Sequence, residues 1–329
     1  MHKVKTVIKY AVSSWKNSQF VIQMCPTKNR ILVYFDLIYW FVRYGHDFND
    51  YCTFRFWEKS SSERKSYISL RRNDVLRFAL STPRVYELLL DKSAFNKRYS
   101  KYIKRGFITT EDHSWPEIEE FVLHYKNVIV KPLSDFGGHG VKKISTNLDN
   151  YLLQMQILKE IVNKKLKYII EETIENCDEI AQIAPGSLNT LRFVTVIDRN
   201  NQLHIIASLL RMGNGISVTD NYHDGGMACA IDIETGKMKG SAYGMNCISY
   251  DEHPYSKLKF DGFKIPHYFE CLEAIKEIAF VEPEARYVGW DIAITPNGIE
   301  LLEGNIPPGE DITQIATGRG MWNELINWI

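Results

Sequence analysis

Three segments of the chain each consist of two apolar runs around a short turn: NTLRFVTVIDRNNQLHIIASLLRMG, ACAIDIETGKMKGSAYG and YVGWDIAITPNGIELLEGN. Turn residues at Asp198-Arg199-Asn200-Asn201, Thr235-Gly236 and Pro296-Asn297-Gly298 make each segment a β-hairpin. A hairpin joins antiparallel neighbours, whereas parallel strands need a long crossover. The stretch HYFECLEAIKEIAFVEP, between the second and third hairpins, has helical spacing. Hairpins mixed with helices exclude a doubly wound parallel sheet and set the fold class as α+β.

Upstream, residues 1–105 read mostly as helix. Ser60-Ser61-Ser62-Glu63, ahead of Tyr67, Ile68 and Leu70, is a capped helix start. RNDVLRFAL and RVYELLLDKSAFNKRYSKYI carry apolar residues three to four apart, with Pro83 between them. From about residue 106 the texture becomes mixed. Residues 128–130, 141–144 and 168–170 are short strands, and NLDNYLLQMQILKEIVNKK is an amphipathic helix with Asn147 or Asp149 available as its cap. The expected organisation is a helical region over 1–105, a small α+β unit over 106–172 and a larger unit over 173–329.

Acidic and basic side chains balance at 40 each, so no global field favours nucleic acid. The cysteines (Cys25, Cys52, Cys177, Cys229, Cys247, Cys271) are scattered without a CxxC pair. That points away from structural zinc or a disulfide framework and towards a reducing, cytoplasmic setting. The basic N-terminus is interrupted by Ser13, Ser14, Lys16 and Asn17, unlike a secretory leader. Residues 31–44, ILVYFDLIYWFVRY, are strongly apolar but carry Asp36 and Arg43. The run is shorter than the roughly 20 residues that span a bilayer. It reads either as a buried helix or as one lying peripherally on a membrane or against a partner such as a glycosyltransferase.

Three stretches carry chemistry. VIVKPLSDFGGHGV places Lys131 ahead of Gly137, Gly138 and Gly140. Successive glycine N–H groups can line one concavity and the lysine adds a point charge, which suits a phosphate; an ordinary hairpin loop is the alternative. His139 either touches that phosphate or faces solvent. Neither GxxxxGK[ST] nor GxGxxG occurs, which excludes a P-loop and a Rossmann fingerprint. In the third hairpin Asp291 and Glu303 fall on adjacent strands, and Glu303 and Asn305 share one face. Apolar neighbours (Ile292, Ile294, Leu301, Leu302) imply burial, and buried carboxylates require a cation. All-oxygen ligands select Mg²⁺ or Mn²⁺; solvent-facing acids at strand ends are the alternative. YIIEETI ends a strand in Glu171 and Glu172 and continues extended, offering main-chain groups to an adenine edge, with Asp178 placed for ribose hydroxyls. In SVTDNYHDGGMACAID, Gly225 and Gly226 permit close backbone approach, and Asp220, Asn221 and His223 offer polar groups to a substrate; a solvent loop is the alternative.

The order of these parts resembles the ATP-grasp superfamily, and most its sugar-transfer-associated group. The likeness lies in LLLDKSAFNKRY, VIVKP with GGHGV, IIEETI, GSLNTLRFVTV, LLRMG with DNYHDGG, and GWDIAI with GIELLEGN, over roughly residues 85 to 310. RYGHDFNDYCTFRFWEKSSSERKSYI upstream resembles that group's helical leader. The resemblance implies two α+β subdomains clasping ATP, with an N-terminal, mainly helical region. It implies that Lys92 and Lys131 contact the ATP phosphates and that a loop holding Ser134, Gly137, Gly138, His139, Gly140 and Val141 closes over them. Glu171, Glu172 and Ile174 would frame the adenine, Asp178 the ribose, and Asp291, Glu303 and Asn305 would hold Mg²⁺ or Mn²⁺.

The implied activity phosphorylates a carboxylate and passes the acyl group to an amine, coupling an amino acid or sugar acid in cell-surface polysaccharide biosynthesis. Such chemistry needs cations beside the transferring phosphoryl group. Arg192 and Arg211, on the two strands of one hairpin, are the candidates; pairing with Asp198 or Asp232 is the alternative. Asn189, Asp220, Asn221, Gly225 and Gly226 would contact the substrate. Many ATP-grasp ligases carry an arginine soon after the metal asparagine, whereas here NIPPGEDITQ follows, with Pro307 and Pro308, and Arg319 lies further along. Two other functions stay open: a kinase-like phosphotransferase acting on a sugar or small molecule, and a non-catalytic ATP-binding partner of a glycosyltransferase.

Overall fold

A computed structural model describes residues 2–133, 140–146, 150–163, 167–215, 225–244 and 248–329. The chain opens with a helical hairpin, α1 (His2–Met24) and α2 (Arg30–Tyr44). The Asn29 side chain accepts from the N–H groups of Ile31 and Leu32 to start α2, and Gly45, at φ +81°, ends it in the left-handed conformation. Residues 31–44 are thus helical, but only Val33, Leu37 and Trp40 of this helix are buried. Short helices α3 (Phe48–Thr53) and α4 (Ser61–Ser66) follow. Ser60 and Glu63 form the expected capping box, yet the helix they start is one turn and a half long, and Ser69 caps a new helix, α5 (Leu70–Leu80).

Pro83 is the first residue of α6 (Pro83–Leu90). Asp91 then ends α6 and caps α7 (Lys92–Arg98), its carboxylate accepting from Ser93 and Ala94 N–H. This break places Lys92 in a helix first turn.

Two antiparallel sheets follow. The smaller has the order β1-β4-β2-β3, from β1 (Phe107–Thr109), β2 (Asn127–Pro132), β3 (Lys142–Ser145) and β4 (Tyr168–Glu172). Helices α8 (Trp115–Tyr125) and α9 (Tyr151–Val162) close its core, around Ile118, Val122, Val128, Val130, Leu158 and Ile170. The cap candidates Asn147 and Asp149 lie outside the described residues.

The larger sheet contains the three hairpins. It runs β11-β10-β5-β6-β7-β8-β9, from β5 (Thr190–Ile197), β6 (Leu203–Met212), β7 (Met227–Ile231), β8 (Met238–Gly244), β9 (Ser249–Tyr250), β10 (Tyr287–Thr295) and β11 (Gly298–Asn305). The short α10 (Asp178–Ala181) precedes β5, and α11 (Tyr268–Ile278) precedes β10. One face buries Leu191, Phe193, Trp290 and Ile292 against Ile275 and Ile278 of α11. On the opposite face Val194, Val196 and Tyr287 meet Leu76 and Leu80 of α5 and Leu325 of α13 (Trp322–Leu325). There α12 (Glu310–Thr317) also lies over Leu209 and Ala228 through Ile312 and Ala316.

Candidate active site

The strand register builds the centre of the site. Glu303, Asp291 and Arg192 are successive partners across β11, β10 and β5. Directly opposed residues of an antiparallel pair point to one side, so the three share a face. A bulge displaces Leu302 from the ladder, because Asp291 pairs with Glu303 while Ile292 pairs with Leu301. The bulge carbonyls are not idle: Arg105 donates from its two terminal nitrogens to Leu301 O (2.7 Å) and Leu302 O (3.2 Å).

Asp291 is buried at 2% exposure. Arg192 grips it in a fork, Nε to Oδ1 and Nη2 to Oδ2, both at 2.6 Å. Arg211 Nη1 donates to Oδ2 at 2.7 Å. Burial pushes the carboxyl pKa up, but the two guanidiniums outweigh it and hold Asp291 below the usual carboxylate range. Neither Asp198 nor Asp232 is the partner of these arginines: Asp198 accepts from Asn200 and Gln202 N–H in its own turn and meets His204. Asp232 accepts from Thr235. Arg192 Nη1 also donates to Pro308 O at 3.0 Å, which ties the start of α12 to the sheet.

Across the cavity from this row lie the two central strands of the small sheet, β2 and β4. Lys131 Nζ pairs with Glu171 Oε2 at 2.7 Å. Glu171 Oε1 accepts from Asn96 Nδ2 and Arg105 Nε, both at 2.9 Å. Arg105 Nη1 reaches Glu300 Oε1 of β11 at 2.8 Å. Burial raises the Glu171 pKa, and Arg105 with Lys131 more than reverses that, leaving it well below the ordinary range. Glu172 Oε2 accepts from Gly106 N–H, while its own N–H donates to Gly106 O. Beyond the strand, Ile174 makes no hydrogen bond to another described residue, so its main-chain N–H and C=O stand open.

Between the walls lies a cavity of about 820 Å³, within the range of ligand pockets. Lys92, Lys131 and Val141 line it, as do Glu171, Glu172, Ile174 and Asp178. So do Arg192, Arg211, Asp291, Glu303 and Asn305. The fold thus gathers residues spread over more than two hundred positions of sequence around one space. Gly140, at φ +74°, adjoins Pro132 at the mouth, where an added Cβ would stand 3.0 Å from Cγ.

Other sequence candidates lie elsewhere. Asn189 is 1% exposed and does not line the cavity; its Nδ2 donates to Ile180 and Ala184 carbonyls and its N–H to Asn176 Oδ1, bracing the segment before β5. Gly225 and Gly226 are also away from it, Gly225 at φ +91° beside Asn214. Ser134, Gly137, Gly138, His139, Asp220 and Asn221 are outside the described residues. Residues that the sequence reading passed over are Arg105, Asn96, Lys143, Thr190 and Asp311, all on the cavity wall.

A metal ion was expected because buried carboxylates need a cation. Asp291 obtains that cation from Arg192 and Arg211, and Glu303 is exposed, so burial alone does not require an ion. The donors still suit one. Glu303 stands at the cavity with Asn305, whose Nδ2 donates to Glu303 Oε1 at 3.0 Å. Asp291 Oδ1 accepts one of the bonds to these arginines against two at Oδ2, and the Glu303 carboxyl lies within hydrogen-bond reach of the same group. Among the described residues no group of three His, Cys, Asp or Glu side chains gathers, so an ion here would take two carboxylates, one amide oxygen and ligand oxygens.

A family model described as sugar-transfer associated ATP-grasp matches residues 71–328. The chain is a sugar-transfer associated ATP-grasp protein. The antiparallel α+β architecture with a helical N-terminal region agrees with that assignment. No curated protein matches this ATP-grasp chain. Among solved structures it is similar to D-alanyl-alanine synthetase A from Vibrio cholerae, at TM-score 0.45 and 11% identity over 73% of this chain and 63% of that one. It is similar to N5-carboxyaminoimidazole synthetase from Staphylococcus aureus, at TM-score 0.42 and 11% identity over 78% and 59%. VanG D-Ala:D-Ser ligase from Enterococcus faecalis gives TM-score 0.42 and 16% identity over 73% and 62%. The ATP-grasp chain thus spans less than two thirds of each of these proteins.

Proposed function

We propose that the chain is an ATP-dependent carboxylate–amine ligase that forms an amide through an acyl phosphate, acting in the cytoplasm, where ATP is available, on an amino acid or sugar acid of cell-surface polysaccharide biosynthesis. The observation that carries this reading is one cavity with lysines on the small-sheet side and the Glu303–Asp291–Arg192 row on the other. Family membership supports the use of ATP, and the family's description supports the link to sugar transfer.

In this reading Lys92 and Lys131 hold the phosphates, with the loop from Ser134 to Val141 above them. The open main chain at Ile174, beside Glu171 and Glu172, takes the adenine edge, and Asp178 the ribose. Asp291, Glu303 and Asn305 would hold Mg²⁺ or Mn²⁺, which would supply positive charge to the phosphates. An oxygen of the substrate carboxylate displaces ADP at the γ-phosphorus. The amine nitrogen then bonds to the acyl carbon, inorganic phosphate leaves, and the nitrogen loses a proton. Arg192 and Arg211 offer positive charge along the path of the transferring group. Many ATP-grasp ligases carry an arginine after the metal asparagine; here Pro307 and Pro308 follow instead, and the Arg192 guanidinium reaches the Pro308 carbonyl from β5. Gly225, Gly226, Asp220 and Asn221 remain candidates for the substrate side, whereas buried Asn189 acts as a brace.

The test is phosphate release from ATP and Mg²⁺ with pools of acids and amines. Release is expected only when both partners are present, with a new amide in the product mass. A stable phosphoester would assign a kinase, and release independent of any carboxylate would reject the ligase. Glu303→Gln is expected to lower turnover by about 100-fold, the usual scale for one electrostatic element of an active site, without unfolding, because Glu303 is exposed.

A further inference from the structure

The helical hairpin at the chain's start has two unlike sides. Its inner side enters one aromatic core through Val21 of α1 and Val33, Leu37 and Trp40 of α2, alongside Tyr51, Phe56 and Trp57. Tyr10 stacks on Phe41 at 3.8 Å and the Arg30 guanidinium lies 4.1 Å over Trp15, so the helices are fastened side by side. Because both rest on the same core, their other sides face away from the protein.

On α2 that outer side is apolar throughout. Ile31, Leu32, Phe35, Tyr39 and Val42 stand 47–69% exposed, and their spacing makes one stripe about 17 Å long, from the rise per helical residue. On α1 the outer side mixes Ile8, Val12 and Trp15 with exposed Lys5, Lys9 and Lys16. Exposed Lys28 and Arg43 mark the two ends of α2. The one carboxylate between residues 5 and 44 is Asp36, and it is taken up by Arg64, Tyr51 and Trp40. A chain with zero net charge therefore gathers five basic side chains around a long row of exposed apolar ones, with Asp47 and Asp50 near Tyr10 on the inner side of α1.

We propose that α1 and α2 dock the protein flat on an anionic lipid bilayer. Surface-lying helices combine an apolar stripe with lysines that reach headgroup phosphates. A second copy of the chain is a poor occupant, because a two-fold contact would bring the same cations face to face. Spanning is a poor fit too, since no described helix is long and apolar enough to cross a membrane. The proposal is independent of the ligase reading, because none of these residues lines the cavity.

The test uses the full chain in a flotation assay with phosphatidylcholine vesicles, with and without phosphatidylglycerol. Flotation is expected with the anionic vesicles and is expected to fall with added salt. Each lysine near an anionic surface is worth about five-fold in affinity, so replacing Lys5, Lys9 and Lys16 with alanine should weaken partitioning by about 100-fold. Phe35→Ser with Tyr39→Ser should abolish it, while the thermal melting curve of each variant stays unchanged because the side chains are exposed. Failure to float with either vesicle, or flotation that both sets of substitutions leave intact, would overturn the proposal. So would self-association in sedimentation that the Phe35 and Tyr39 substitutions dissolve.

Discussion

Arg105 is the residue on which most of the site depends. Its side chain is 3% exposed, and it bonds to Glu171, Glu300, Asn96 and two strand carbonyls. Replacing it with methionine would leave two buried carboxylates short of a partner, a loss of about 3–5 kcal/mol, to be read from the urea midpoint. Nothing near it in sequence announces this: its carboxylates lie 66 and 195 positions away. Lys-Arg-Gly reads locally as a helix end. Glu310 gives a second residue-scale expectation. It is buried, first by desolvation and then beside Asp311, so its carboxyl is pushed up from 4.5 to about 8. Asn73 Nδ2 donates to its Oε2, and among the described residues buried Glu310 Oε1 has no donor, which favours the protonated acid. The folded state then binds more protons than the unfolded state between about pH 4.5 and 8. Stability should fall as pH rises through that window, by up to about 1.4 kcal/mol per pH unit. Glu310→Gln should flatten this part of the profile in urea unfolding followed across pH.

At the scale of elements, the hairpins were legible because both of their signals are local: alternation along the strand and turn chemistry between strands. The row Glu303–Asp291 followed from a three-residue turn at Pro296-Asn297-Gly298; the structure instead pairs Thr295 with Gly298, and the bulge at Leu302 restores the pairing. Arg192 joined that row only through the pairing of β5 with β10, which no local pattern reports. Strand β1, at three residues, is too short to show alternation. Helix α8 did carry a readable signal, Ser114 and Glu117 as a capping box with Pro116 near its start. The division at Asp91 was hidden because one side chain both ends and begins a helix. Besides the Asn73–Glu310 bond, Gln314 joins helix α12 to the leader: its Oε1 accepts from Ile68 N–H and its Nε2 donates to Ile68 O, both buried. Gln314→Leu removes both partners and should cost about 1–3 kcal/mol, measured by urea unfolding. Gly289 lies under the segment before α12, where an added Cβ would stand 2.9–3.1 Å from Pro308, including its main chain. Gly289→Ala should displace that segment and weaken the Arg192 bond to Pro308 O, seen as a lower melting temperature and a raised KM for ATP.

For the whole molecule, the two sheets and the leader meet around one cavity, and a ligand bound there touches both sheets. Nucleotide should therefore stabilise the entire chain: at 100 times Kd the gain is about 2.7 kcal/mol, visible as a higher melting temperature with ATP and Mg²⁺ than without. Much of the two sheets was readable from sequence, since the three hairpins and the strands β2, β3 and β4 reported themselves, while β1 and β9 did not. Their facing arrangement was not, because it rests on contacts such as Arg105 to Glu171 and Glu300. That guanidinium is the stitch between the sheets, holding Glu171 of β4 with one edge and Glu300 of β11 with the other. Any gaping of the cleft that keeps this stitch must swing about it like a door on its pin, so Lys131, on the same carboxylate, travels little while the far rim of the small sheet sweeps widest.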